Sequence, residues 1–304
     1  MARSLVSNLR RHWSGECQPQ KDRGGPPLKV TFYGVRGSCP CSSEANRRYG
    51  GNTACVALDV AGEDPIIFDL GTGLRQFGAT QPTDGSFRGT AFVTHIHWDH
   101  VQGLPFFPPI HRPGARLDIY GPHQEEGPLG EVLGGLMCRP YFPVHFSELE
   151  GDVEFHDVTD EDVKVGRAKV KVRPVPHNGP TVGYRVDWDG CSVAYISDHQ
   201  APHDLKSIAD AVLELADGVD LLIHDAQYTP AEFAMKETWG HCTIDYAVLV
   251  AKEAGAKKLA MFHHDPAHSD DDLDHLLEMA KCTGLHSGVE VVSAYEYLSL
   301  NLAD

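Results

Sequence analysis

The chain has 304 residues, 43 acids against 26 Lys and Arg, and a formal charge of −17 with histidine neutral. That balance repels nucleic-acid backbones and anionic bilayers at long range, and no apolar stretch approaches the roughly 20 residues that span a membrane. Eight cysteines without paired zinc-ribbon spacing, in a chain too long to need disulfide staples, point to a reducing cytoplasm, and 18 histidines hint at metal or proton chemistry.

Residues 1–27 read as a disordered, basic tail that ends in Gly24-Gly25-Pro26-Pro27. From residue 28 to 304 nothing marks a linker, so this stretch is expected to form a single domain. Short apolar runs predict strands at 28–33, 53–60, 65–69, 90–94, 116–120, 169–175, 182–186 and 192–196. The stretch 182–196 reads as a hairpin turning at Asp187-Trp188-Asp189-Gly190. Strands then alternate with helices: a helix over 203–216, a strand at 221–224, a helix over 243–254, a strand at 258–262 and a helix over 271–282. Many strands first and alternation later predict two sheets covered by helices.

Immediately after the strand at 90–94 come His95, His97, Asp99 and His100, four metal-grade ligands within six positions. Residues two apart on an extended segment point the same way, so His95 and His97 converge on one point. Asp99 and His100 follow as the chain turns and face a neighbouring point. Imidazole with carboxylate suits zinc, manganese or iron. Three further candidates follow apolar strands: His177, Asp198 and His263.

The motif THIHWDH at 94–100, the distant His, Asp and His, and Asp69-Leu70-Gly71-Thr72-Gly73 after a strand together resemble the metallo-β-lactamase superfamily. The resemblance spans nearly all of 28–298. It implies an α/β fold, a four-layer αββα sandwich, with two divalent metal ions per chain at one edge of the sheets. Zinc is the first choice of metal, manganese or iron the alternatives. Carried over by position, one metal takes His95, His97 and His177, the other Asp99, His100 and His263, and Asp198 bridges them. His199, His264 and Asp265 adjoin these ligands as supporting or turn groups.

An aspartate bridge resembles the phosphodiesterase, nuclease and thioester-hydrolase branches, and His97, where the oxygen-reducing diiron branch has a carboxylate, favours hydrolysis. The motifs His224-Asp225 and Gly240-His241-Cys242-Thr243 are similar to the paired motifs of the tRNase Z-like branch, where an acid orients a histidine that protonates the leaving group. Asp99, Asp225 and His241 are therefore the implied catalytic residues, with Thr243 as the cap of a helix whose N-terminus favours anions. That branch grips tRNA through a long basic arm between the third histidine and the bridging aspartate; here only 178–197 lies there. Gly34-Val35-Arg36-Gly37, the segment around Asn52 and the Phe106-Phe107 loop resemble an arm-less group with cyclic-nucleotide and cyclic-phosphate phosphodiesterases among its relatives. Arg36, Asn52, Phe106 and Phe107 are then expected to line the substrate pocket.

The expected function is hydrolysis of a small anionic phosphodiester, such as a cyclic nucleotide, by a hydroxide between two metals. The alternatives are a tRNase Z-like RNA-processing nuclease, a thioester or lactone hydrolase, and a metal-binding scaffold, which the intact ligand set disfavours. Nucleic acid is the lesser partner, no membrane is implied, and a homodimer is allowed by the superfamily's habits. No role is assigned to the basic tail or to the Cys39/Cys41 pair.

Overall fold

The computed structural model describes residues 28–285 and 288–302; the expected tail over 1–27 lies outside them. Six strands come first: β1 (Lys29–Gly34), β2 (Cys55–Asp59), β3 (Ile66–Phe68), β4 (Arg88–Phe92), β5 (Arg116–Pro122) and β6 (Asp152–Val158). Seven more follow: β7 (Glu161–Val165), β8 (Ala168–Pro174), β9 (Val182–Trp188), β10 (Cys191–Ile196), β11 (Leu221–Asp225), β12 (Lys258–Phe262) and β13 (Glu290–Ser293). A last strand, β14 (Ser299–Asn301), returns to pair with β1. The helices are α1 (Gly73–Gly78), α2 (Trp98–Val101), α3 (Leu129–Leu136), α4 (Asp210–Ala216), α5 (Pro230–Lys236), α6 (Ile244–Glu253) and α7 (Asp270–Leu285).

Two seven-stranded sheets result, in the orders β14-β1-β2-β3-β4-β5-β6 and β13-β12-β11-β10-β9-β8-β7. In each, antiparallel neighbours give way to parallel ones, at β3–β4 in the first and β10–β11 in the second. Parallel neighbours need crossovers, and helices supply most of them. The central strands β10 and β11 are buried on both faces, which is why they read as near-continuous apolar runs. The β9–β10 hairpin turns at Asp189 and Gly190, whose φ values of 50° and 85° match a two-residue primed turn.

The core between the sheets is aromatic. Phe32, Phe68, Phe92, Tyr184, Tyr195 and Phe262 interlock there, with Phe68 stacked on Tyr195 at 4.7 Å. Leu74 and Phe77 of α1, with Leu129 and Leu133 of α3, bury their apolar sides on the outer face of the first sheet. Helices α4, α6 and α7 do the same on the second. The layers are αββα, the metallo-β-lactamase architecture.

One expected element is shorter. The helix read over 203–216 begins only at Asp210. The Asp204 carboxylate accepts the backbone N–H groups of Lys206 and Ser207, and Leu205 sits at φ 49°. A side chain that satisfies backbone donors this way competes with helix formation. No described helix is long and apolar enough to cross a membrane.

Candidate metal centre

Every candidate ligand lies just beyond the C-terminal end of a strand, in the loop that follows it or, for Asp99 and His100, in the short helix α2. Asp69 follows β3; His95, His97, Asp99 and His100 follow β4; His177 follows β8; Asp198 follows β10; His263 follows β12. These strand ends, from both sheets, meet at one edge of the sandwich.

His95 Nε2 lies 2.8 Å from His97 Nδ1, and His177 Nε2 lies 3.3 Å from the same atom. On the other side, His100 Nε2 is 3.1 Å from Asp99 Oδ2 and 3.2 Å from His263 Nε2. Asp198 stands between the two groups. Its Oδ2 is 3.7 Å from both His95 Nε2 and His177 Nε2, while Oδ1 is 3.2 Å from His100 Nε2 and 3.3 Å from His263 Nε2. One carboxylate oxygen thus faces each triplet.

Whether this arrangement fits metal is decided by its tautomers. His177 Nδ1 donates to the Gly240 carbonyl at 2.7 Å. His100 Nδ1 donates to Asp69 Oδ2, and His263 Nδ1 donates to Gln227 Oε1, both at 2.8 Å. His95 Nδ1 has Thr94 Oγ1 at 3.1 Å, and that hydroxyl lies against Asp69. In these four rings the proton is therefore spoken for on the outer nitrogen, leaving an inward lone pair, the usual support for metal-binding histidines; His97 instead turns Nδ1 inward. His100 Nε2 and His263 Nε2 then face each other as two acceptors beside two carboxylates. Asp198 Oδ1 is buried and makes no hydrogen bond among the described residues. Acceptors crowded together without a donor repel, and divalent cations relieve them. The two sets, three imidazoles with a carboxylate and two imidazoles with two carboxylates, have the N/O chemistry of zinc, manganese or iron sites.

The electrostatics agree with that division. Burial pushes the imidazoles of His95, His97 and His177 down, into the neutral form that donates a lone pair. Burial opposes charge on His100 too, but Asp99, Asp198 and Asp69 outweigh it and carry this imidazole up. A proton on His100 is the smallest cation that can answer those carboxylates; a divalent ion answers them better.

Asp69 is buried at φ 56° and accepts from the Thr94 backbone N–H at 2.8 Å, from Tyr195 Oη at 2.7 Å and from His100. Gly37 packs flat against His263: a Cβ there would lie 2.4 Å from the imidazole ring. The next residue, Ser38, donates its backbone N–H to Asp99 Oδ2 at 2.8 Å. Gly37 belongs to the segment that carries the resemblance, but its packing on His263 has no signal in the sequence, and neither do the roles of Gln227 and Tyr195. Gln227 is an ordinary polar residue two positions past Asp225, with no spacing signal of its own.

Asp225 and His241 come together as the paired motifs imply, with His241 Nδ1 2.9 Å from Asp225 Oδ2. Asp225 is fully engaged: the same oxygen accepts the His199 backbone N–H at 3.2 Å, and Oδ1 accepts that of Gln227 at 3.0 Å. Burial lowers the His241 imidazolium, yet Asp225 overcomes it and the net direction is up. Thr243 caps α6 by accepting the Tyr246 N–H at 3.1 Å. His241, His97, Trp98, Asp99 and Asp198 share a cavity of about 480 Å³ with Trp239 at its rim.

Three expected pocket residues lie elsewhere. Arg36 is fully buried and clasps backbone, donating to the carbonyls of Gly50, Asp265 and His268. Asn52 is bound through its backbone and side chain to Glu296 Oε1. Phe107 is buried between Phe77 and Phe87 in the outer core of the first sheet. Each is consumed by packing, so none lines the cavity. Phe106 is exposed and lies in a neighbouring groove instead. Of the ligand-adjacent residues, His264 donates Nε2 to the Ala294 carbonyl, Asp265 pairs with Lys236, and His199 donates Nδ1 to His224 Nε2.

The model of the Beta-lactamase superfamily domain matches residues 65–264. A Ribonuclease Z of Synechococcus sp. (strain WH7803) is 25% identical over 296 residues, covering 80% of this chain and 86% of that protein. Among solved structures, the metallo-β-lactamase fold protein YhfI from Bacillus subtilis aligns with a TM-score of 0.68 at 20% identity, over 91% of this chain and 99% of that one. Human tRNase Z, short form, aligns with a TM-score of 0.63 at 21% identity, over 90% and 99%.

Proposed function

The chain belongs to the β-lactamase superfamily and is a metal-dependent hydrolase; on that premise, we propose that it is a dinuclear phosphodiesterase acting on a small phosphodiester, a cyclic nucleotide among them. The observation that carries this reading is the Asp225–His241 pair beside the ligand cavity. A thioester expels a thiolate, which departs without a proton and has no use for a buried, carboxylate-backed imidazole next to the metals. An alkoxide leaving a phosphodiester has to be protonated.

His95, His97, His177 and Asp198 Oδ2 would hold one ion; Asp99, His100, His263 and Asp198 Oδ1 the other. Bound there, divalent metal supplies acidification of water and polarisation of the phosphoryl group. Asp69, Gln227 and the Gly240 carbonyl hold three imidazoles in the orientation and tautomer that ligation requires. His241 keeps one proton on Nδ1 against Asp225, and Nε2 is left to hand a second proton to the departing oxygen. Asp225 stabilises the imidazolium in the interval.

A second reading, an RNA-cleaving nuclease, is favoured by the Ribonuclease Z relatives. Against it, the stretch between His177 and Asp198 holds only the β9–β10 hairpin, and the chain carries a charge of −17. The small substrate fits both facts. Free thiols at Cys39, Cys41, Cys55, Cys138 and Cys242 suit the reducing cytoplasm as its location.

The test is a turnover panel on protein of measured metal content: an aryl phosphodiester, cyclic nucleotides, a thioester, a lactone and precursor tRNA. Phosphodiester turnover that depends on metal is expected. Inert phosphodiesters beside an active thioester, lactone or tRNA would replace the reading.

A further inference from the structure

Trp98 directly follows the ligand His97, and its side chain is 72% exposed. It lines the metal cavity together with Asp99, Asp198 and His241. It also lines a second cavity of about 550 Å³ on the outer side of the first sheet, walled by Phe106, Leu136, Tyr141 and Phe142. Phe106 and Phe142 meet edge to face at 5.8 Å, and the exposed Tyr141 stands beside them. No charged side chain lines this groove among the described residues.

An apolar, uncharged groove is out of keeping with a surface of such negative charge, and patches of this kind mark binding sites. Its position says what binds. The groove and the metal cavity share one wall, Trp98, so a molecule entering both presents an anionic centre to one and an apolar arm to the other. Trp98, Phe106, Tyr141 and Phe142 supply flat walls that suit a planar arm, and the aliphatic Leu133, Leu136 and Met137 close the groove around it. Resting on the phosphodiesterase reading above, we propose that the groove is the subsite for a planar aromatic ester arm of the substrate, with Trp98 as the shared wall. Stacking on exposed aromatic side chains contributes enough to shift affinity by roughly tenfold or more.

Two measurements separate this assignment from the reaction class. Binding to the metal-loaded protein is read by calorimetry with 1-naphthyl phosphate and with methyl phosphate. Turnover is read with methyl, phenyl and 1-naphthyl 4-nitrophenyl phosphates, which all release the same phenolate. The naphthyl monoester is expected to bind roughly tenfold more tightly than the methyl one, and kcat/KM to rise by a similar factor along the diester series. In Leu136→Asp and Phe142→Ser, two variants on the far wall checked for native circular dichroism, both ratios should fall to within about twofold of one. Equal binding of the two monoesters by the wild type overturns the subsite, whatever the turnover. Unchanged ratios in both variants overturn it as well. A wild-type dimer that Leu136→Asp splits into monomers also overturns it, because the groove is then covered by a second copy. Selective binding without turnover of any diester keeps the subsite and removes the phosphodiesterase reading.

Discussion

Replacing His241 tests the proton donor, and the leaving group is the variable that exposes its role. A positioned general acid contributes roughly 10²–10⁴-fold when the departing oxygen is a poor leaving group. His241→Ala should therefore cost that much with an alkyl phosphodiester and far less with a 4-nitrophenyl one, whose phenolate departs unprotonated. Asp225→Asn offers a graded version. Asp225 Oδ2 takes two donors, from His199 and His241, and Oδ1 takes one, from Gln227. An asparagine fits best with its amide nitrogen toward Gln227, which preserves the bond to His241 but removes the charge behind it. A hydrogen bond to a charged partner exceeds a neutral one by about 1–1.5 kcal/mol, or roughly tenfold in rate. The Gln227 donor left facing that nitrogen lowers stability by about 1–3 kcal/mol. The assay is steady-state kinetics on the alkyl and aryl diesters, with metal content and thermal melting as controls. Equal losses on the two substrates at unchanged metal content would refute the assignment of His241 as proton donor.

Gly37→Ala places a methyl group 2.4 Å from the His263 ring; overpacking of that kind costs about 1–3 kcal/mol. It should displace His263, so metal analysis is expected to show less than full occupancy and activity a large loss; full occupancy with normal turnover would contradict the packing described. Gln227→Ala frees His263 Nδ1 and should weaken metal binding by roughly 10–100-fold, as loss of a ligand's hydrogen-bond partner does, measured by competition with a chelator. Stripping metal should lower the melting temperature, because an ion present at about 1,000 times its dissociation constant stabilises the fold by about 4 kcal/mol; identical melting of loaded and stripped protein would deny the site any ion.

The ligand groups were legible because their signal is local. His95 to His100 crowd into one loop, and His177, Asp198 and His263 each come just after an apolar strand. The strands that escaped reading are the sheet edges. β6 and β7 keep a short alternation, Val153 and Phe155 in one and Val163 and Val165 in the other, but Asp152, Glu154, Asp157, Glu161 and Asp162 are interleaved with it, and so charged a stretch, which suits an edge strand, does not stand out as an apolar run. Arg36 and Asn52 misled for a different reason. Their flanking glycines do mark a constrained backbone, but what presses on it is protein: a Cβ at Gly34 would meet the Thr53 carbonyl at 1.9 Å, and one at Gly37 the His263 ring. Tertiary packing of that kind leaves no trace in spacing. Gln227 shows the same limit, since only the folded chain brings it to His263.

The meeting of strand ends from both sheets has a consequence for how the protein is made. The candidate ligands run from His95 after β4 to His263 after β12, across most of the chain. Contacts this distant in sequence are late and slow to form. A nascent chain that has not yet delivered β12 holds every candidate ligand but His263, so the set of Asp99, His100 and His263 lacks one of its two imidazoles. Completion of the candidate metal centre therefore comes at the end of folding, and a truncated or stalled chain is barred from it.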